Sequence, residues 1–391
     1  MQARTLATLI CFGMIMSVIA PVAAQTGGSQ APVAGVREKA RGQVPTAIAE
    51  GESDSVARVN AWTVGIVGGL IEGAPIRFAT DIQIALDDGD NLRILPIVSR
   101  GAKQNVIDLL YLKGVDAGVV YTDIFDEFRR EGQIKNIEKR INYISHLFLS
   151  GVHVLVRPEI KELKDLEGKK FGFQGRGTGV SVTSSILFKR MGINVEPVYI
   201  TNNQALEQMK TGEMHGLIYL VTKAHPSLTS IDPKFGFHLL SIPYEKFTDY
   251  YVPMTFENSD YPNLVKPSEK VEAMGVPAVL AVYNWPKGSE RFRKVQRFLQ
   301  YYFDRFDNFK KPPFQKEWKE INLAATIPGW NRYWYAEQLL QEREQKQQQS
   351  AAGAGVALTG AQSEQALDLS DPVRRKEFNE FLEWKRRQQK Q

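Results

Sequence analysis

The stretch Gly175-Arg176-Gly177-Thr178-Gly179-Val180-Ser181 gathers small residues, two hydroxyls and a cation where the apolar run Phe171-Gly172-Phe173 gives way to a helical pattern ending near Met191. A strand that feeds a Gly-rich turn and a helix start presents unpaired backbone N–H groups and the positive end of the helix dipole to one point in space. The chemistry this suits is an anion cradle, with Thr178, Ser181 and the backbone of Gly177 to Val180 as donors. Other chemistries fail on spacing. A dinucleotide fingerprint needs Gly where Val180 stands, and the next strand pattern ends at Tyr199-Ile200-Thr201 without the acidic residue that would hold a ribose. No G-K-[ST] follows the turn and no G-x-S-x-G elbow occurs, which removes a P-loop and a hydrolase nucleophile. The five histidines share no i, i+3 or i, i+4 spacing for a helical metal pair, and His153 and His215, both in strand patterns, read as structural. Asp123, Asp126 and Glu127 cluster at a helix start, where acids stabilise the dipole. The sequence therefore predicts a binding protein with no catalytic centre, cofactor or metal.

The elements that must position this turn come in a repeated order. Trp62 to Val67 reads as a buried strand, followed by a helix carrying Phe78, Ala79, Ile82, Ala85 and Leu86. Leu92 to Ile97 is a second strand, followed by a helix with Val106, Ile107, Leu109 and Leu110, and Asp116 to Tyr121 is a third, after which Thr122 or Asp123 is placed to cap a helix. The order then repeats: a strand over Val152 to Val156, the Gly-rich turn, a helix from Thr178 to Arg190, a strand from Glu196 to Ile200, a helix capped by Asn202 or Asn203, and a strand from His215 to Leu220. Lys113-Gly114-Val115-Asp116-Ala117-Gly118-Val119-Val120-Tyr121 aligns with Thr211-Gly212-Glu213-Met214-His215-Gly216-Leu217-Ile218-Tyr219, each strand ending on Tyr. Alternating strands and helices argue for parallel sheets covered on both faces, and the repeat argues for two lobes of one design. The late strand Val276 to Tyr283, followed by a helix from Arg291 to Phe306, reads as the return crossing to the first lobe. The expected fold is α/β and two-lobed, each lobe a mostly parallel sheet flanked by helices, with a helical C-terminal extension.

Composition sets the frame. Residues 1–24 hold an early cation, an apolar run too short for a bilayer and a small-residue end, and are read as a signal peptide. The single cysteine, Cys11, lies inside it, so the mature protein, about 365 residues with ample apolar content for two lobes, carries no thiol and suits an oxidising compartment. A net charge of +5 with interleaved signs gives no footprint for nucleic acid. Residues 25–58 read as a flexible N-terminus with order starting near Asn60, 59–150 plus about 276–330 as lobe one, 151–275 as lobe two, and 331–391 as a Gln-rich linker and tail helices, one of them starting near Ser370-Asp371-Pro372.

In open α/β sheets ligands lie beyond the carboxyl ends of the strands. The exit loops supply Gly73, Arg77, Ser99, Arg100, Tyr121 and Thr122 from the first lobe, and Gly175, Arg176, Gly177, Thr178, Gly179, Ser181, Tyr219 and Thr222 from the second. Helix N-termini, hydroxyls, two tyrosines and three arginines fit a small organic anion or amino acid. Arg100 and Arg176 leave strands of different lobes and are expected to reach one carboxylate from opposite walls, with Tyr121 and Tyr219 lining the space between.

The blocks Thr63-Val64-Gly65-Ile66-Val67-Gly68-Gly69, Ser99-Arg100-Gly101-Ala102-Lys103-Gln104-Asn105, Gly114 to Asp123, Leu163 to Phe171 and Gly177-Thr178-Gly179, in that order behind a leader, resemble the TAXI family over about residues 60 to 310. The resemblance implies a type 2 periplasmic-binding-protein fold, a periplasmic location, and an extracytoplasmic receptor that hands its solute to the permease subunits of a TRAP transporter. An exported enzyme or sensor on the same fold is the alternative. Two ligand loops depart from the family pattern, Ser99-Arg100-Gly101 and Gly73 to Phe78.

Overall fold

The structure, a computed structural model, describes residues 46–346 apart from position 90, with backbone alone at 46–50 and 58. The expected signal peptide and the tail helix near Ser370 lie outside the described residues. A helix α1 (Thr46–Ala61) occupies part of the stretch that the sequence reads as irregular up to about 58. Ala57 onward forms one unit.

The first strand–helix series is β1 (Thr63–Gly69), α2 (Ala74–Leu86), β2 (Arg93–Val98), α3 (Ala102–Tyr111), β3 (Ala117–Tyr121) and α4 (Thr122–Glu131). β1 and β3 are near-continuous apolar runs, buried along almost their whole length, as central parallel strands must be. Pro75 in the first turn of α2 fits a position where its missing N–H has no partner to lose. A short helix, α5 (Ile137–Arg140), leads into the long β4 (Ile141–Val156). The second series is β5 (Lys170–Gly172), α6 (Gly179–Met191), β6 (Glu196–Val198), α7 (Asn202–Thr211) and β7 (Gly216–Val221), and after α8 (Pro226–Thr229) come β8 (His238–Leu240), β9 (Val252–Glu257), β10 (Lys270–Tyr283) and α9 (Glu290–Asp304). A last helix, α10, runs over 334–346. No described helix is long and apolar enough to cross a membrane.

The sheet is mixed, with order β2-β1-β3-β10-β4-β7-β5-β6; β8 pairs with β4 and β9 with β10. β1 is parallel to β2 and β3, and β5 is parallel to β6 and β7. Between these parallel triplets lie the two long strands, antiparallel to each other and to their outer neighbours β3 and β7. Parallel pairing therefore holds within each half, and the crossing strands make the whole mixed. Both crossing strands change partners at one place: Gly151 of β4 pairs with Gly275 of β10, and from there β4 runs beside β7 while β10 runs beside β9. A side chain at either position meets packed neighbours, since a Cβ on Gly151 would stand 2.9 Å from Phe256 and one on Gly275 2.7 Å from Leu149.

Several local expectations are corrected. β4 starts at Ile141 rather than Val152, because Ile141 to Gly151 is buried on both faces and carries no strict alternation. Tyr121, not Thr122 or Asp123, holds the N-cap position of α4 and makes no side-chain cap bond, while Asp123 inside the first turn accepts Ile124 N–H. α7 is capped by Thr201, which forms a capping box with Gln204, so the cap lies one residue before Asn202. The chain beyond 330 is no solvated linker at its start. Tyr333 N–H donates to Tyr143 O at 2.7 Å, and Tyr333, Tyr335, Ala336 and Leu340 join the core of the first half.

Candidate functional site

The exit loops of the two halves meet directly. Lys103 N–H at the start of α3 donates to Gly177 O at 3.0 Å, and a Cβ on Gly101 would come within 3.0 Å of Gly177 O and Thr178 Cα. Gly101 sits at φ 135, outside the range of ordinary side-chain-bearing residues, so two glycines let the two turns touch. Deeper in, Gly179 packs against the Tyr121 ring and Leu220.

At the Gly-rich turn the hydroxyls are already engaged. Thr178 Oγ1 donates to Gly175 O at 2.7 Å and accepts Ser181 N–H at 3.2 Å as the N-cap of α6, and Ser181 Oγ donates to Thr178 O. What the turn offers a ligand is thus the N–H groups of Gly179 and Val180, which have no acceptor inside the helix. The arginine pair does not converge. Arg176 is exposed and lies over the Tyr199 ring at 3.7 Å, while Arg100 is exposed and enters no ion pair among the described residues. Tyr219 is likewise on the wrong side of its strand. Side chains alternate along β7, so Leu220 meets Gly179 whereas Tyr219 packs with Leu217, Phe256 and Tyr261 in a separate cluster. Ser99 Oγ closes its own turn on Asn105 Oδ1 at 2.5 Å, Arg77 donates to Glu72 O, and Gly73, Gly175 and Thr222 remain at least partly exposed.

Besides Tyr121, which the sequence selects, the residues that converge are Asp123, which the sequence assigns to the helix dipole, and Thr183 and Tyr251, which it does not select. Asp123 is fully buried, and its Oδ2 accepts Thr183 Oγ1 of α6 at 2.6 Å and Tyr251 OH at 3.4 Å, while Oδ1 accepts Ile124 N–H. Burial pushes its carboxyl up to about 6 against the pull of these donors. Burial likewise pushes Tyr121 up to about 12 and Tyr251 well above its ordinary value, so both phenols remain neutral donors. One helical turn on, Asp126 pairs with Arg129 and Arg130; Arg130 reaches Asp249 across the halves at 2.7 Å, and Arg190 of α6 holds the same Asp249 by two bonds. Burial raises Asp249, but the Arg190 hydrogen bond and the neighbouring charges win and hold it below the usual carboxylate range. A sequence signal existed for part of this. Asp249-Tyr250-Tyr251 puts an acid and two phenols side by side in a segment without strand or helix periodicity.

His153, read as structural, is buried: Nε2 lies 2.7 Å from Tyr261 OH, Nδ1 faces Gly151 O and Tyr219 O, and the ring stacks on Phe256. Its neutral form is the stable one, since desolvation pushes it down to about 3. His215 keeps Nδ1 buried without a partner among the described residues.

Two parallel half-sheets, joined by antiparallel crossing strands and facing each other through their exit loops, define a two-halved α/β protein with its candidate site at the junction. Residues 76–286 match the NMT1-like family, a span of more than half the chain, and the chain belongs to that family. No curated protein matches it. Among solved structures it is similar to YhfZ from Shigella flexneri (13% identity, TM-score 0.38, covering 66% of this chain and 96% of that one). It is also similar to a structure described as a periplasmic transporter (13%, TM-score 0.42, 72% and 94%). A third is a putative periplasmic sulfonate-binding protein, SsuA, from Methylobacillus flagellatus KT (11%, TM-score 0.37, 72% and 76%).

Proposed function

We propose that this protein is a periplasmic, non-enzymatic solute receptor of the TAXI type, which captures a small organic anion or amino acid at the junction of its halves and delivers it to TRAP-type permease subunits. The observation that carries the reading is the direct meeting of the two exit-loop sets, with donors from both halves buried around one seam: the α6 turn, Tyr121, Thr122, Thr183 and Tyr251. A solute held there touches both halves at once, so its binding energy favours the closed arrangement. The blocks that resemble the TAXI family supply the transport role, and residues 1–24, read as a leader, supply the location. A thermal-shift screen of organic acids, amino acids and their neutral amides tests it, because a ligand that binds only the folded state raises the melting temperature. At least one acid is expected to raise it more than its amide does. A screen in which no acid or amino acid moves the transition removes the receptor reading.

A further inference from the structure

Asp123 lies fully buried where the two halves meet, and among the described residues it enters no ion pair. We propose that this carboxyl is a proton site that governs closure: as the halves close, Asp123 takes up one proton from solvent, so a mildly acidic medium favours the closed arrangement. The proposal rests on the receptor reading above and supplies the regulation of the same seam.

The partners of the carboxyl come from both sides. Its own helix gives only Ile124 N–H to Oδ1, while Oδ2 depends on the other half, on Thr183 Oγ1 of α6 at 2.6 Å and Tyr251 OH ahead of β9 at 3.4 Å. Opening the seam exchanges both hydroxyls for water and solvates the charge; closing strips that water and returns two neutral donors. A carboxylate stripped of water with no cation beside it is costly, and the neutral acid is not. The neutral acid also keeps the geometry, because a hydroxyl both donates and accepts, and Thr183 Oγ1 can take the proton of a protonated Oδ2.

The charges packed around Asp123 are engaged elsewhere. On α4, Asp126 holds Arg129 and Arg130, and Glu127 and Glu131 face Lys103 and Lys189. Arg190 of α6 holds Asp249 by two bonds and also donates to Lys246 O and Tyr250 OH, Arg130 completes the Asp249 pair, and Arg140 of α5 turns to Tyr111. Val276 to Tyr283 of β10 and Ile327 to Trp330 bring no charged side chain. Burial keeps Tyr121, Tyr250 and Tyr251 neutral. Closure should therefore raise the Asp123 carboxyl from its ordinary range to the value of about 6 that it has here, while Asp249, held low, keeps its clasp throughout. The closing equilibrium then gains about tenfold from pH 7 to pH 5 and is flat above pH 7. His225, facing Arg77, Glu317 and Lys316 across the far rim, gains its charge on acidification beside a net positive charge and acts the other way, so the share of Asp123 is read as a difference between parent and neutral variant.

Small-angle scattering of the full chain without added solute, at pH 5 and pH 7, tests the proposal in the parent and in Asp123→Asn, which fixes the neutral form. Asp123→Ser, smaller and also neutral, serves if the amide disturbs packing, and circular dichroism verifies each fold. Relative to the variants, the parent is expected to gain about tenfold in its closing equilibrium from pH 7 to pH 5, read as a fall in radius of gyration that neither variant matches. Parent and variants that respond alike to pH overturn the proton site, and the receptor reading, judged by the thermal-shift screen, is untouched by that result. A parent that expands at pH 5 relative to the variants overturns the proposal as well, since charge rather than proton would then favour closure.

Discussion

Asp123 is the clearest case of a side chain whose environment, not its type, decides its role. Its position at a helix start is legible from sequence, but the burial that raises its carboxyl to about 6 depends on Thr183 and Tyr251, both far along the chain and in the other half. The raised value has a definite sign. The folded protein holds the proton more tightly than the unfolded chain, so the stability linked to this group is fully present below about pH 3.8 and is lost as pH rises through about 6, an amount of roughly 3 kcal/mol. His153 works in the opposite direction: its depressed value makes stability present above about pH 6.5 and lost as pH falls toward about 3. Melting curves of the parent therefore mix the two, and Asp123→Asn separates them. The difference in melting temperature between parent and variant is expected to shift in the parent's favour between pH 7 and pH 4; a difference that stays flat across that window refutes the burial of an ionisable Asp123. The arginines show the reverse failure. Arg100 and Arg176 are cations in the right loops by sequence, yet one stands in solvent and the other lies on Tyr199, since loop membership does not fix side-chain direction.

At the level of elements, the parallel triplets are legible because β1, β3 and β7 are largely apolar and the stretches around β3 and β7 repeat one spacing, Gly114, Gly118 and Tyr121 against Gly212, Gly216 and Tyr219. The first half of β4 is not, since a strand buried on both faces and holding Ser145, His146 and Ser150 shows neither alternation nor an unbroken apolar run. The Gly-rich turn was legible as a helix start, while the use of its hydroxyls as caps was not, because the same Thr and Ser serve a cap or a ligand equally well in sequence. Gly179 gives a test at this scale. A Cβ there would stand 3.1 Å from Leu220 Cδ2 and 3.2 Å from Tyr121 Cε2, so Gly179→Ala must push α6 away from β3 or turn the Tyr121 ring. Overpacking of this kind costs about 1–3 kcal/mol, and the variant is expected to melt lower and to bind the solute about tenfold more weakly. Calorimetry and thermal denaturation read the two effects separately, and an unchanged affinity would place Gly179 outside the seam that the solute occupies.

For the molecule as a whole, the chain beyond Trp330 completes the first half, as Tyr333 and Tyr335 are buried against it. A charged, Gln-rich composition hid this from the sequence reading, for the aromatic residues that anchor it are few and clustered ahead of the Gln run. Contacts between the halves run through Asp123 with Thr183, Arg130 with Asp249, and Lys103 with Gly177. A solute that adds to them is expected to narrow the distribution of interatomic distances in small-angle scattering, and a profile unchanged at saturation would count against closure. Such closure is expected to pivot at Gly151 and Gly275, which face each other in the two strands that, among the described residues, pass between the half-sheets. Two bare backbones side by side twist more readily than side-chain-bearing ones, so the pair is where a torsion of the sheet is expected to concentrate. Both glycines are buried and uncharged, which makes the restoring torque a property of packing and backbone geometry. The pivot should accordingly feel temperature and pressure while remaining deaf to ionic strength, whereas the Arg130–Asp249 clasp at the rim responds to salt.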